Sequence, residues 1–344
     1  MSAERSRFVL SRSALLRQYK ALQECSDEIH YSFKTNPVVG KVLEETTDCK
    51  FAICSPGSVD EIGDKSRVSF FAQGEREEEL NAILKLGVRI FVVDNENDLE
   101  RLLRTAGKQS ARINLFLRAK VREHTIYTGR YFVYGISWER ANKLLPELRR
   151  NKSVEKLGLL FHRKTQNVGE WFLKEDFNEC VPPENRKMID ALNIGGGIPA
   201  EYVNSNPDVK TILGSIAGFR ELLNKQGIRP ITEPGRFLAA PSVSLETEVI
   251  NVYENTIVVD ASLFNGAMDV YLLNHRNRVA GEASSGHRFL IKGRSPDSLD
   301  IFRYKVFLPR KPKIGDKIVF RNAGAYNFHT DFNALPRIKT VVAD

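Results

Sequence analysis

The chain has 344 residues, 42% of them hydrophobic, and a formal net charge of +8. That length supports one large core or two medium ones, as in an ordinary globular protein. Lysines and arginines lie among acids, as in EREEELNAILK and ENDLERLLR, so the positive balance reads as a solvated surface, with no nucleic-acid partner implied.

The opening MSAERSRFVLSRSALLRQY is charged and lacks an apolar signal region, and no run of about 18 apolar residues follows. A cytoplasmic location without a membrane partner is therefore expected. Cys25, Cys49, Cys54 and Cys180 are irregularly spaced, with no CxxC pair and no histidine cluster beside them. They are expected to be reduced thiols, with no metal site.

The first apolar run is RFVLS. From about Ser11 onward, eight further short runs alternate with amphipathic stretches: EIHYSFK, CKFAICS, VSFFAQ, RIFVVD, INLFLRA, KLGLLFH, ALNIGGG and RPITEPG. Helical period is plain in EEELNAILKLG and WERANKLLPELRR. Strands alternating with helices predict a parallel (β/α)8 barrel over residues 11–237. Beyond Phe237 the texture changes to alternating strands in SVSLETEVINVYENTIVVD, HRFLIKG, RYKVFLP and DKIVFRNAG. This predicts a C-terminal antiparallel β domain over residues 238–344, joined by a strand within residues 1–10.

A parallel barrel keeps its chemistry at the carboxyl ends of its strands. There stand Lys34, Ser55, Arg118, His162, the glycines Gly195, Gly196 and Gly197, and the run from Glu233 to Arg236. Lys34 in YSFKTNP would be partly desolvated, which lowers an amine pKa and exposes a nucleophile able to condense with an aldehyde. Alone it reads as a surface lysine before a turn. The three glycines of NIGGGIP could bring backbone N–H groups to a phosphate, or simply make a tight turn. ITEPGRF adds a carboxylate for a pyridine nitrogen and an arginine for phosphate. Amine, carboxylate and anion donors together make a cradle for pyridoxal 5'-phosphate.

YSFKTNP resembles the YAVKANP lysine motif of the fold-type III pyridoxal phosphate decarboxylases, which act on ornithine, diaminopimelate, arginine and carboxynorspermidine. In order along the chain, CSPGSVDE, FLRAK, TGRYFVYGIS, GLLFHRK, IGGGIP, EPGR and AGAYNFHTDFN resemble further segments of that family. The resemblance implies an alanine racemase-like barrel with Lys34 as the Schiff-base lysine and His162 stacked on the cofactor ring. It implies phosphate contacts from Gly195, Gly196, Gly197, Gly235, Arg236 and Tyr326, and a contact from Glu233 to the pyridine nitrogen. A carboxylate there keeps the ring protonated as an electron sink, which favours decarboxylation over the racemisation of relatives that place arginine at this position.

Departures from the family pattern touch the chemistry. IKGRSPDSLDIF places Pro296 where the family has a proton-donating cysteine, while Asp297 and Asp300 match its two acids. Proline has no proton to give. Ala52 replaces an aspartate, Ser58 stands near a usual glutamate, and FVYG replaces SKFG. The resemblance implies substrate contacts from Asp260, Asp297 and Asp300, with Asp297 among the catalytic groups and Asp269 a lesser candidate. It also implies a homodimer with shared sites, acting on a basic or diamino acid. A racemase of the same fold and a non-catalytic homologue are the alternatives.

Overall fold

The structure, a computed structural model, describes residues 6–120 and 134–344. After β1 (Arg7–Ser11), eight strands close a parallel barrel: β2 (Glu28–Ser32), β3 (Lys50–Ile53), β4 (Val68–Ala72), β5 (Ile90–Val93), β6 (Ile113–Arg118), β7 (Val154–Leu160), β8 (Ala191–Asn193) and β9 (Arg229–Thr232). β9 returns to β2, with Ile231 opposite Glu28. Each strand coincides with one of the eight apolar runs. Strands covered on both faces must be apolar almost throughout, which is why the runs stand out.

Side chains along each strand alternate between the barrel interior and the surrounding helices. Ile90, Val92, Phe116, Leu160, Ala191 and Ile231 form a separate buried cluster inside. The outward set joins the main core with the helices. These are α1 (Arg12–Gln23), α2 (Pro37–Thr46), α3 (Pro56–Val59), α4 (Glu77–Lys85), α5 (Glu96–Lys108), α6 (Trp138–Arg150), α7 (Leu173–Cys180), α8 (Pro183–Arg186) and α9 (Val209–Lys225). Helix α5 shows the local logic. Asn95 caps it by accepting from the Asp98 N–H, Glu96 and Asp98 sit in its first turn, and Leu99, Leu102 and Ala106 are buried at helical spacing.

Helix α10 (Arg236–Ser242) leads out of the barrel across the expected boundary. It is followed by β10 (Val243–Tyr253), β11 (Thr256–Val259), α11 (Leu263–Gly266), α12 (Met268–Leu273), β12 (His287–Lys292), β13 (Ile301–Leu308), β14 (Lys317–Phe320) and β15 (Lys339–Ala343). The sheet runs β13-β12-β11-β10-β1-β15, with β14 also paired to β10. It is mainly antiparallel, although β11 with β12 and β1 with β15 pair in parallel. Strand β1 lies between β10 and β15, with Phe8 opposite both Leu245 and Thr340.

Among the described residues, no helix is long and apolar enough to cross a membrane, and no cluster of His, Cys, Asp and Glu could hold a metal ion. Most of the TGRYFVYGIS segment, residues 128–133, lies outside the described residues.

Candidate active site

Strand alternation brings the chemistry to one mouth of the barrel. Leu160 and Ile231 point inward, so His162 and Glu233, two residues further along β7 and β9, continue the same rows. Lys34 enters on the 3-10 turn Phe33–Thr35 that follows β2, and its side chain is exposed.

Glu233 is buried, and its Oε1 accepts from Asn193 Nδ2 at 2.7 Å. Burial pushes its pKa up to about 7, against the pull of the Asn193 hydrogen bond and the charges of Arg118 and Lys34. Asn193 is a double clamp, because its Oδ1 also accepts from the Gly195 N–H at 2.8 Å. Arg118, at the end of β6, is held below the usual guanidinium range by burial, with Asp94 and Glu233 opposing.

His162 has its ring open to the mouth. Its Nδ1 lies 3.1 Å from the Gly196 backbone nitrogen. An N–H can only donate, so Nδ1 is unprotonated and the neutral ring carries its proton on Nε2. Desolvation and the cations Arg118, Lys34 and Arg163 lower its pKa in the same sense. Because the ring is open, the hydrogen bond is the firmer ground for the neutral state.

The glycine run winds beneath this histidine. Gly195 has φ +68°, and a Cβ there would stand 2.6 Å from the Phe161 carbonyl oxygen. Both the left-handed backbone and the close approach require glycine. The N–H groups of Gly195 and Gly196 are engaged by Asn193 and His162, so among the described residues the Gly197 N–H is the one of the run left to meet an anion. A Cβ on Gly235 would fall 2.3 Å from Thr35 Oγ1, and that buried hydroxyl has no hydrogen-bond partner among the described residues.

The C-terminal domain closes over the mouth through AGAYN. The Tyr326 N–H donates to the Thr35 carbonyl at 2.9 Å, and Asn36 Nδ2 donates to the Gly324 carbonyl at 2.9 Å. The Tyr326 ring lies 5.3 Å from the Arg236 guanidinium carbon. Arg236 is buried; it donates to Tyr202 Oη at 2.7 Å and to both oxygens of Asp269, at 2.5 and 2.8 Å. Tyr202 in turn stacks on His275, with ring centres 4.2 Å apart.

Three of the acids considered for substrate have partners within the chain. Asp269 has both oxygens on Arg236. Asp260 accepts from the Glu248 N–H at 2.7 Å and from Ser6, tying β11 to β10 and the N-terminus. Asp300 is fully buried and accepts from the Leu263 and Ser295 N–H groups at 2.7 and 3.0 Å, so it shapes the loop between β12 and β13. Asp269 and Asp300 have both oxygens engaged, and Asp260 takes both of its donors on Oδ1. Asp297 is partly exposed on that loop beside the exposed Pro296, and its Oδ1 accepts from the Leu299 N–H at 2.8 Å. No contact among the described residues brings it to Lys34 of its own chain.

Sequence reasoning missed Asn193, Tyr202 and Thr35. Asn193 had a usable signal, since it ends a barrel strand two residues before the glycines. The assembled donors fit a pyridine aldehyde bearing a phosphate. Lys34 offers an amine, Glu233 Oε2 has no hydrogen bond among the described residues and its carboxyl has a pKa suited to sharing a ring proton, and Thr35, Gly197 and Arg236 offer donors to an anion.

Residues 12–240 match the family described as pyridoxal-dependent decarboxylase, pyridoxal binding domain. The diaminopimelate decarboxylase of Bacteroides thetaiotaomicron is 27% identical over 326 residues, 88% of this chain and 84% of that protein. The lysine/ornithine decarboxylase of Selenomonas ruminantium is 24% identical, over 91% of this chain and 83% of its own. The structure of lysine/ornithine decarboxylase from Vibrio vulnificus, complexed with cadaverine, superposes with a TM-score of 0.82 at 22% identity, covering 98% of this chain and 94% of that one.

Proposed function

The chain belongs to the pyridoxal-dependent decarboxylase family, and from that premise we propose that it removes the α-carboxylate of a basic or diamino acid, releasing carbon dioxide and an amine. The observation that carries this reading is the buried Glu233 carboxylate, clamped by Asn193 at 2.7 Å with a pKa raised to about 7. When bound, pyridoxal 5'-phosphate supplies the electron sink for the pair of electrons left by the departing carboxylate.

The chain's own groups do the rest. Lys34 would hold the cofactor's aldehyde through its amine. Glu233 would hold a proton at the pyridine nitrogen. His162, kept neutral by the Gly196 N–H, offers a flat uncharged face to the ring. Pro296 has no proton to donate, so the proton returning to the substrate carbon comes from solvent or another side chain.

Preference for a basic substrate is supported by the relatives, named as diaminopimelate and lysine/ornithine decarboxylases. Asp297 is the remaining acid of the matched pair. In this reading it faces the mouth of a second copy, which makes the protein a homodimer with shared sites. The test is to incubate holoprotein with ornithine, lysine, arginine, diaminopimelate and a carboxylated polyamine, measuring carbon dioxide and identifying products by mass spectrometry. One of these should yield its amine. The Lys34→Ala protein should yield none and should lose the visible absorbance of the bound aldehyde. Absence of carbon dioxide with every substrate would overturn the proposal.

A further inference from the structure

We infer that Asp269, assisted by Tyr202, is a positioning residue that orients the Arg236 guanidinium toward the cofactor's phosphate. The inference rests on the reading of Arg236 as a phosphate ligand and adds which atoms aim it.

A guanidinium carries five N–H donors in one rigid plane. Both hydrogens of Arg236 Nη1 are taken, by Tyr202 Oη at 2.7 Å and Asp269 Oδ2 at 2.5 Å. One hydrogen of Nη2 goes to Asp269 Oδ1 at 2.8 Å. What remains is Nε–H and the second Nη2 hydrogen, which share one edge and point the same way. Among the described residues only Thr165 Oγ1 takes a hydrogen bond from that edge, a long one of 3.3 Å from Nε. Two parallel donors match two oxygens of a phosphate or carboxylate.

The open edge lies on the right side of the site. Thr165 follows His162 in the same loop, and a Cβ on Gly197 would sit 2.8 Å from the Lys164 carbonyl oxygen of that loop. This fork, the Gly197 N–H and the Thr35 hydroxyl, unpartnered among the described residues, therefore come from segments that pack together. Because Asp269 also cancels the arginine's charge, this site would select phosphate by direction more than by net charge.

That distinction makes the role testable. Apoprotein is titrated with pyridoxal 5'-phosphate and, separately, with pyridoxal, following the absorbance of the bound aldehyde. Wild-type protein should prefer the phosphorylated form. Asp269→Asn should lose about tenfold or more of that preference while its affinity for pyridoxal stays within about twofold, as expected when an aligned fork is released. Tyr202→Phe should shift the ratio in the same direction by less, and it carries the test alone if the first variant does not fold.

An equal loss for both ligands would show that Asp269 merely stabilises the fold. A rise in affinity for the phosphorylated form would show that it acts only as a counter-charge. Either result overturns the inference. If wild-type protein itself binds the two ligands equally, the reading of Arg236 fails instead.

Discussion

Glu233 titrates where cells live. Its folded pKa, about 7, lies above the ordinary carboxylate value because burial penalises the charged form. A raised pKa contributes stability that is present in full below the unfolded pKa and is lost as pH rises through the folded one. The apoprotein should therefore lose stability from about pH 4.5 to about pH 7, by about 3 kcal/mol at most from this group. Thermal melts should show that decline in wild-type apoprotein and a flatter profile in Glu233→Gln. Parallel profiles would rule out Glu233 as its source. Asn193 tunes the same group, since its hydrogen bond lowers the Glu233 pKa. Asn193→Ala should move the inflection to higher pH and cost about 1–3 kcal/mol by stranding the Gly195 N–H and Glu233 Oε1.

The joint between the domains depends on fit between two short segments, the turn after β2 and the AGAYN loop. A Cβ on Gly324 would lie 1.9 Å from the Ala239 carbonyl oxygen, in α10, and 2.8 Å from Val243 Cβ. Gly324→Ala should lift the loop from Thr35 and Asn36, costing about 1–3 kcal/mol and weakening cofactor binding. Gly214→Ala is the contrast. It sits within α9 with nothing within 4 Å of an added Cβ, so it should stabilise by up to about 1 kcal/mol without changing cofactor affinity. Denaturant melts and cofactor titrations separate the two. The barrel strands were legible in the sequence because strands buried on both faces are written as apolar runs. Strand β15, KTVVA, was not, because its partner β1 lies at the other end of the chain and three of its five residues are exposed. The site divided in the same way. The position of Lys34, His162, the glycines and Glu233 at one mouth of the barrel was legible because they follow strand ends. The partners of Asp260, Asp269 and Asp300 were not legible, because Ser6, Arg236 and Leu263 are dozens to hundreds of residues away and carboxylates look alike until their acceptors are filled.

At the scale of the whole molecule, what needs explaining is an acid without a target. Asp297 sits on a loop of the C-terminal domain with no described contact to Lys34 of its own chain, while its loop is held in shape by the buried Asp300. A loop shaped that firmly is suited to presenting a side chain across an interface. In a two-fold dimer each copy would complete the other's mouth, because a contact made by one protomer is returned by its partner. That arrangement has a consequence that separate monomers cannot imitate. Lys34→Ala and Asp297→Ala should each be inactive, since each dimer would lack the same group at both mouths. Mixed in equal amounts and allowed to exchange, they should form heterodimers in which one mouth carries both defects and the other carries neither. Random pairing puts half the protein in such dimers with one working mouth of two, so activity should recover to about a quarter of wild type. Recovery should follow the rate of subunit exchange and fall on dilution below the dimer's dissociation constant. If the mixture stays inactive although exchange is demonstrated with labelled subunits, Asp297 does not serve the partner's site. If Asp297→Ala alone is fully active, the acid has no part in the chemistry.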